Sequence, residues 1–201
     1  MTRIVVPFRG AGAKLRLAPL GEPERRELAL AMLADVLAAC VVVGRTTVVT
    51  EDPRAHALAG ELGASLVADP GGGQGAAVAA GLDGLEPGPI LVVNADLPCA
   101  VPHDLRALQR ATPAGGIAYV PAADGTTNAL GLPGPQLFEP LYGPGSAERF
   151  RSRAASLGVT ALAVAIPNLA DDVDTTADLA RLGLRAGPRT QVAISSLGLA
   201  A

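Results

Sequence analysis

The sequence is poor in several residues on which whole classes of protein depend. Aromatic residues make up only 2% of its 201 residues, tryptophan is absent, and there are two cysteines and two histidines. Cys40 and Cys99 form no paired framework and no metal-ligand spacing, which argues against a disulfide scaffold and favours a reducing, cytoplasmic location. The scarcity of aromatics predicts an aliphatic core. A net charge of −3 argues against a general nucleic-acid partner.

Long hydrophobic runs are also lacking. The longest, from Leu28 to Val43, carries Asp35 in its middle and is too short to span a bilayer comfortably. The N-terminus enters a strand at Ile4 directly, without the charged and apolar regions of a signal peptide. The sequence therefore predicts a soluble protein with no membrane partner.

Apolar residues, 49% of the chain, fall into alternating strand-like and helix-like segments. Strands are predicted at Ile4–Phe8, Thr46–Thr50 and Ser65–Ala68, and a helix begins at Pro23 between the first two. Apolar residues at helical spacing predict the buried stripe of this helix: Leu28, Met32, Leu33, Val36, Leu37 and Cys40. Such alternation predicts an α/β fold with parallel strands joined by right-handed crossovers. The last strand is predicted at Val159–Ile166.

The stretch from Pro89 to Pro98 combines a buried strand with an acid at its end. Its apolar, largely β-branched residues predict a strand buried on both faces, and Asp96 follows it. Open α/β sheets bind ligands at the carboxyl ends of their parallel strands, where a carboxylate can hold a divalent cation. Asp96 is therefore a candidate metal ligand. The alternative is that it only caps the turn into the next helix.

Two glycine-rich loops are candidate nucleotide-binding segments. The first, Arg9 to Arg16, contains three cations and suits phosphates, although it matches neither a Walker loop nor a dinucleotide fingerprint. The second, Asp69 to Ala77, leads into a helix predicted from Ala76, and its glutamine suits a base edge. A flexible surface loop and a mobile hinge are the respective alternatives. The candidate contacts are Gly10, Gly12, Lys14, Gly73, Gln74 and Gly75.

A third glycine-containing turn, Gly143-Pro144-Gly145-Ser146, precedes a predicted helix. Ser146 fits the N-cap position, and an ordinary cap would explain the serine alone. The two glycines before it leave the approach to the helix start open. An anion site at this turn is therefore the second hypothesis.

Acidic residues cluster between Asp171 and Asp178. Thr175 and Asp178 predict a capping box at the start of a helix. Asp172 and Asp174 alternate along the chain, so they lie on one side of an extended segment. Their repulsion is relieved if a cation lies between them, which makes both candidate metal ligands.

Together these segments resemble one family, the guanylyltransferases of coenzyme F-420 biosynthesis, which act on phosphoenolpyruvate or 2-phospho-L-lactate. The resemblance runs from about Ile4 to Leu182. A strand ending in Asp-Leu-Pro is shared with the wider superfamily of nucleotidyltransferases resembling the molybdenum-cofactor guanylyltransferase, whereas the other segments are more specific. The segments that carry the resemblance are Lys14-Leu15-Arg16, Asn94-Ala95-Asp96-Leu97-Pro98, Thr126-Thr127-Asn128-Ala129-Leu130, Gly143-Pro144-Gly145-Ser146 and Asp172-Val173-Asp174-Thr175.

The resemblance implies both a fold and a reaction. The fold would be an α/β/α sandwich with a Rossmann-like, mostly parallel sheet, as in nucleotide-diphospho-sugar transferases, with one domain over residues 1–183 and a tail over 184–201. The reaction would transfer GMP from GTP to the phosphate of phosphoenolpyruvate and release pyrophosphate. Relatives often carry Gly-Leu-Asn in place of Gly73-Gln74-Gly75 and a histidine in place of Phe150.

The resemblance also implies roles for single residues. Mg²⁺ would lie on Asp96 with a partner from the Asp172/Asp174 pair. The charges of the reactants add Lys14 and Arg16, which would hold the triphosphate, so that the candidate catalytic residues are Lys14, Arg16 and Asp96. The phospho-acid would contact Thr127, Gly143 and Ser146.

The charges of the two reactants explain why no general base is expected. Both reactants are anionic, so their reaction needs neutralisation above all, and a substrate phosphate is already ionised near pH 7. Neither His56 nor His103 has a neighbouring cysteine or second histidine. Three alternatives remain: 2-phospho-L-lactate as acceptor, a nucleotidyltransferase for a sugar phosphate or the molybdenum cofactor, and a non-catalytic nucleotide-binding regulatory domain.

Overall fold

The computed structural model describes residues 1–10, 17 and 20–199, and it confirms the α/β alternation. The described strands are β1 (Arg3–Pro7), β2 (Arg45–Val49), β3 (Ser65–Val67), β4 (Ile90–Val93), β5 (Ile117–Pro121), β6 (Thr127–Leu132) and β7 (Ala161–Ala163). The described helices are α1 (Glu22–Val41), α2 (Pro53–Glu61), α3 (Gln74–Leu82), α4 (Pro102–Ala111), α5 (Ser146–Ser156), α6 (Pro167–Ala170), α7 (Thr176–Leu182) and α8 (Pro188–Ser196).

The strands form one seven-stranded sheet in the order β3-β2-β1-β4-β6-β5-β7. Within it, β6 runs antiparallel to both of its neighbours, and the remaining pairs are parallel. The chain moves outward from β1 through β2 to β3 and then returns to the other side of β1 with β4. The carboxyl ends of β1 and β4 therefore flank the topological switch point, where such sheets bind ligands.

Helices cover both faces of the sheet, as the predicted sandwich requires. Ile4 and Val6 of β1 point into the cluster formed with α1, α2 and α4, while Val5 points into the cluster formed with α3 and α5. Successive strand residues face opposite sides, so a strand covered on both sides reads as a continuous apolar run. The predicted buried stripe of α1 is confirmed at Leu28, Met32, Leu33, Val36, Leu37 and Cys40.

Element boundaries differ from the sequence prediction by one residue in β1, β2 and β3, and by more in two other elements. Helix α3 begins at Gln74, two residues before the predicted start at Ala76. Strand β7 covers only Ala161–Ala163 of the predicted Val159–Ile166. It pairs with β5 alone, through three residues, because it lies at the edge of the sheet. No helix in the described ranges is long and apolar enough to cross a membrane.

The domain boundary expected at residue 183 stays a prediction, and the described chain beyond it forms α8, which packs against α1. Asp35, a buried residue of α1, accepts hydrogen bonds from the backbone N–H groups of Arg189 (3.2 Å) and Thr190 (2.8 Å). These N–H groups lie in the first turn of α8, where backbone N–H groups have no hydrogen-bond acceptor within the helix. Asp35 thus caps α8 from a distant helix.

Replacing Asp35 by alanine should lower the free energy of unfolding by about 1–3 kcal/mol, because two N–H groups at the start of α8 lose their acceptor. Urea denaturation of the purified protein measures this change. Asp83→Ala is the matched control, since Asp83 is exposed at the end of α3. Equal stability of the two variants would show that Asp35 does not anchor α8.

Candidate active site

A cleft of about 180 Å³ opens at the carboxyl ends of β1 and β4, where the topology places a ligand site. Both predicted nucleotide-binding loops reach it within the described residues, the first through Gly10 and the second through Gln74. The predicted Gly12, Lys14 and Arg16 lie outside the described residues. The residues that line the cleft include Pro7, Phe8, Arg9, Gly10, Gln74, Asn94 and Asp96.

The second glycine-rich loop turns sharply into α3. Gly73 is its N-cap residue, with φ of 99°, a conformation that side-chain-bearing residues rarely adopt. Gly75 lies against Pro140, where an added Cβ would come within 2.6 Å of the proline ring. Packing therefore accounts for Gly75, and the backbone turn accounts for Gly73.

Asp96, Asp172 and Asp174 come together at the edge of the cleft, each offering an oxygen within 4.8 Å of the others. One hydrogen bond joins the two segments, and a second fixes the Asp172–Asp174 segment against the start of α7. The N–H of Val173 donates to the main-chain carbonyl of Asp96 at 3.2 Å, and the N–H of Asp174 donates to the Asp178 carboxylate at 3.2 Å. The predicted capping box of α7 is confirmed, since Asp178 and Thr175 bond to each other in both directions.

The electrostatics of this cluster favour a cation. Burial, followed by the negative charges of Asp96 and Asp174, raises the pKa of Asp172 to about 6. Ionising all three carboxylates is therefore unfavourable unless a positive charge compensates them. Carboxylate oxygens are the ligands that a hard divalent cation such as Mg²⁺ prefers, so the donor set fits this ion.

Asn128 supports the cluster from β6, and the sequence analysis assigned it no role. Its side chain is 1% exposed, and its amide N–H₂ donates to the Ala170 carbonyl (3.1 Å) and to the Asp172 carboxylate (3.4 Å). An asparagine directly before the apolar residues Ala129 and Leu130 was the available signal. Asn128 holds the segment that carries Asp172 against the sheet.

We expect Asn128→Leu to weaken Mg²⁺ binding by about tenfold to a hundredfold, because outer-shell partners orient metal ligands. Titration calorimetry of the purified variant with Mg²⁺ measures this. Asn168→Leu is the matched control: Asn168 bonds to Asp104 and Arg185 rather than to the carboxylate cluster. If both variants bind Mg²⁺ equally well, Asn128 does not orient Asp172.

Thr127 and Ser146, which are predicted to contact the phospho-acid, lie together on the face of β6 opposite to Asn128. The Ser146 hydroxyl donates to the Thr127 hydroxyl at 3.2 Å, and both side chains are buried. Gly143 lies in the same turn, where its carbonyl accepts the N–H of Ser146 at 3.0 Å. The structure therefore brings the three predicted acid contacts together.

The prediction that Ser146 is the N-cap of α5 was wrong. Gly145 occupies that position, with φ of 71°, and Ser146 is the first helical residue. The left-handed backbone at Gly145 replaces the extended N-cap that a serine would cap. The Ser146 hydroxyl is thereby turned toward Thr127 instead of toward its own helix.

A hydrogen-bonded chain connects the cleft to the main chain of Thr127. The Gln74 amide donates to the Asn94 side-chain oxygen at 2.6 Å, and the Asn94 amide donates to the Thr127 carbonyl at 3.4 Å. Because β6 is antiparallel to β4 and β5, its first residues lie at the end of the sheet where β4 and β5 finish. This single antiparallel strand thus places Thr127 and Asn128 beside Asp96.

Known proteins resemble this chain in both sequence and fold. Residues 2–196 match the family described as "Guanylyl transferase CofC like". A phosphoenolpyruvate guanylyltransferase of Geodermatophilus obscurus is 39% identical over 93% of this chain and 91% of its own length. One from Roseiflexus castenholzii is 38% identical over 87% and 84%. A nucleotidyl transferase structure from Methanothermobacter shares the fold, with a TM-score of 0.70 at 18% identity, covering 98% of this chain and 99% of that one.

Proposed function

The chain belongs to the CofC-like guanylyl transferase family, and we propose that it transfers GMP from GTP to the phosphate of phosphoenolpyruvate, releasing pyrophosphate, in coenzyme F-420 biosynthesis. It is an enzyme of the nucleotidyltransferase type. The observation that supports this reaction is the cluster of Asp96, Asp172 and Asp174, of which Asp96 lines the cleft that the two glycine-rich loops reach. Two relatives that are 39% and 38% identical to this chain are named phosphoenolpyruvate guanylyltransferase.

The nucleotide half of the proposed site is the cleft at the ends of β1 and β4. Gln74, which lines it, is proposed to hydrogen-bond the guanine edge, and Gly10 and Gly73 to let the backbone approach the nucleotide. Gly12, Gly75, Lys14 and Arg16 complete the proposed nucleotide contacts. The two cations among them would hold the triphosphate and stabilise the leaving pyrophosphate.

Asp96, Asp172 and Asp174 are proposed to hold Mg²⁺. When bound, the ion supplies positive charge to neutralise the phosphates of both reactants. The protein's own contribution is to fix three carboxylates on one side of the cleft, through the Asp96–Val173 contact and the capping box of α7. Fixed charges avoid reorganisation at the moment of reaction.

Thr127, Gly143 and Ser146 are proposed to bind the phospho-acid. Hydroxyl and backbone N–H groups donate hydrogen bonds to a carboxylate or phosphate without adding a charge that would retain the product. A general base is not required, because the attacking phosphate is already ionised near pH 7. The reaction is expected in the cytoplasm, consistent with the free thiols of Cys40 and Cys99.

A competition assay tests this proposal. The purified protein is given GTP, Mg²⁺ and equal amounts of phosphoenolpyruvate and 2-phospho-L-lactate, and pyrophosphate release and both guanylylated products are measured. We expect the phosphoenolpyruvate product to predominate. Predominance of the phospholactate product would change the acceptor, and activity only with a sugar phosphate or the molybdenum cofactor would change the reaction. No pyrophosphate with any acceptor would contradict the proposal.

A further inference from the structure

Arg149 of α5 is folded back onto the turn that precedes its own helix. Its guanidinium donates to the Leu141 carbonyl from Nε (3.1 Å) and Nη2 (2.7 Å), to the Tyr142 carbonyl from Nη2 (3.0 Å), and to the Pro144 carbonyl from Nη1. Four hydrogen bonds to three carbonyls thus hold one short segment. This segment, residues 141–145, is called the Gly-Pro-Gly turn below.

These bonds determine where the peptide N–H groups of the turn point. The chain has no cis peptide bond among its described residues, and in a planar trans peptide the C=O and the next N–H point in opposite directions. With the Tyr142 and Pro144 carbonyls aimed at Arg149, the N–H groups of Gly143 and Gly145 point away from it. Among the described residues, neither N–H has a protein acceptor.

Both glycines adopt backbone conformations that make this arrangement possible. Gly143 has φ of 113° and Gly145 has φ of 71°, conformations that side-chain-bearing residues rarely adopt. The Gly143 carbonyl is used in the same turn, where it accepts the N–H of Ser146 at 3.0 Å. The carbonyls of the turn thus accept hydrogen bonds from the Arg149 guanidinium and from the Ser146 N–H. The N–H groups of Gly143 and Gly145 face away from Arg149.

We propose that Arg149 is a positioning residue for the acceptor acid, acting by holding the Gly-Pro-Gly turn so that the Gly143 and Gly145 N–H groups face the anion. This inference rests on the proposed function, in which Gly143 and Ser146 contact the acid. Arg149 itself does not touch the acid. It acts through the carbonyls that it binds.

Arginine suits this task better than lysine. Its planar guanidinium carries five N–H donors in a fixed geometry and can bind several carbonyls at once, whereas an ammonium is a single point with three donors. Arg151 lies on the same helix as Arg149, but its guanidinium pairs with Glu148 at 2.6 Å and 2.8 Å. Arg151 is therefore a control with the same charge on the same helix, and both arginines are exposed.

The kinetic test compares Arg149→Met, Arg149→Lys and Arg151→Met with the wild type. We expect Arg149→Met to raise the apparent KM for phosphoenolpyruvate by about tenfold or more, with kcat and the KM for GTP nearly unchanged. Arg149→Lys should fail to restore the wild-type KM although it retains the charge. Arg151→Met should behave as the wild type. An unchanged acid KM in Arg149→Met, or the same rise in Arg151→Met, overturns the proposal.

Amide hydrogen exchange without substrates provides a second measurement. The N–H groups of Ser146 and Arg149 donate to the Gly143 and Gly145 carbonyls, so their exchange reports the order of the turn. Both should exchange faster in Arg149→Met and normally in Arg151→Met; unchanged exchange in Arg149→Met overturns the proposal. If the wild type releases no pyrophosphate with GTP and phosphoenolpyruvate, the proposed function fails, and the exchange result then decides alone whether Arg149 orders the turn.

Discussion

Asp96→Asn should lower turnover by about a hundredfold to a thousandfold, the usual effect of removing one preorganised electrostatic partner. Asparagine keeps the shape of aspartate but removes one of three clustered negative charges, so Mg²⁺ affinity should fall with turnover. The main-chain carbonyl that accepts the Val173 N–H is retained, and a like-charge repulsion is lost. The melting temperature of the metal-free protein should therefore not decrease.

The matched control for this variant is Asp171→Asn. Asp171 lies in the same acidic stretch but pairs with Arg181 (2.8 Å) and Arg185 (3.2 Å) instead of joining the cluster. It should retain turnover. Asp172→Asn and Asp174→Asn should resemble Asp96→Asn, and if neither does, the capping role of that segment is sufficient to explain it. Near wild-type turnover of Asp96→Asn at limiting Mg²⁺ would remove Asp96 from the metal site.

Thr127→Val and Ser146→Ala should each raise the apparent KM for the phospho-acid by about tenfold or more, since a hydrogen bond to a charged group contributes roughly 1.5–3 kcal/mol. Binding of GTP, measured calorimetrically without the acid, should stay nearly unchanged. The two hydroxyls are 3.2 Å apart and bonded to each other, so their effects should not add in the double variant.

Two neighbouring residues provide controls for these hydroxyls. The Thr126 hydroxyl donates to Asp124, and the Ser152 hydroxyl donates to Glu148, and neither residue is buried. Thr126→Val and Ser152→Ala should therefore keep the wild-type KM for the acid. Ser146→Ala should also cost about 1 kcal/mol of stability, because the buried Thr127 hydroxyl loses its donor, so assays must run well below the melting temperature. A lower GTP affinity with an unchanged KM for the acid would mean that the nucleotide and acid sites are assigned the wrong way round.

Features that depend on a few consecutive residues could be predicted from the sequence. The buried stripe of α1, the strand before Asp96 and the capping box at Thr175 follow from side-chain periodicity and from hydrogen bonds within one turn. The spacing of Asp172 and Asp174 is local in the same sense. Family resemblance then grouped these pieces into one proposed site, although it gave no contact between them.

Features that depend on distant segments required the folded chain. The insertion of β6 between β4 and β5 brings Thr127 and Asn128 to Asp96, and α8 reaches its cap at Asp35. Ser146 shows the limit most clearly, because cap chemistry predicted a bond within its own helix, whereas the serine bonds to Thr127 on a separate strand. Local patterns fix the helices and strands, but long-range burial and strand pairing select which polar groups meet, and those pairings have no signature in any short window of sequence.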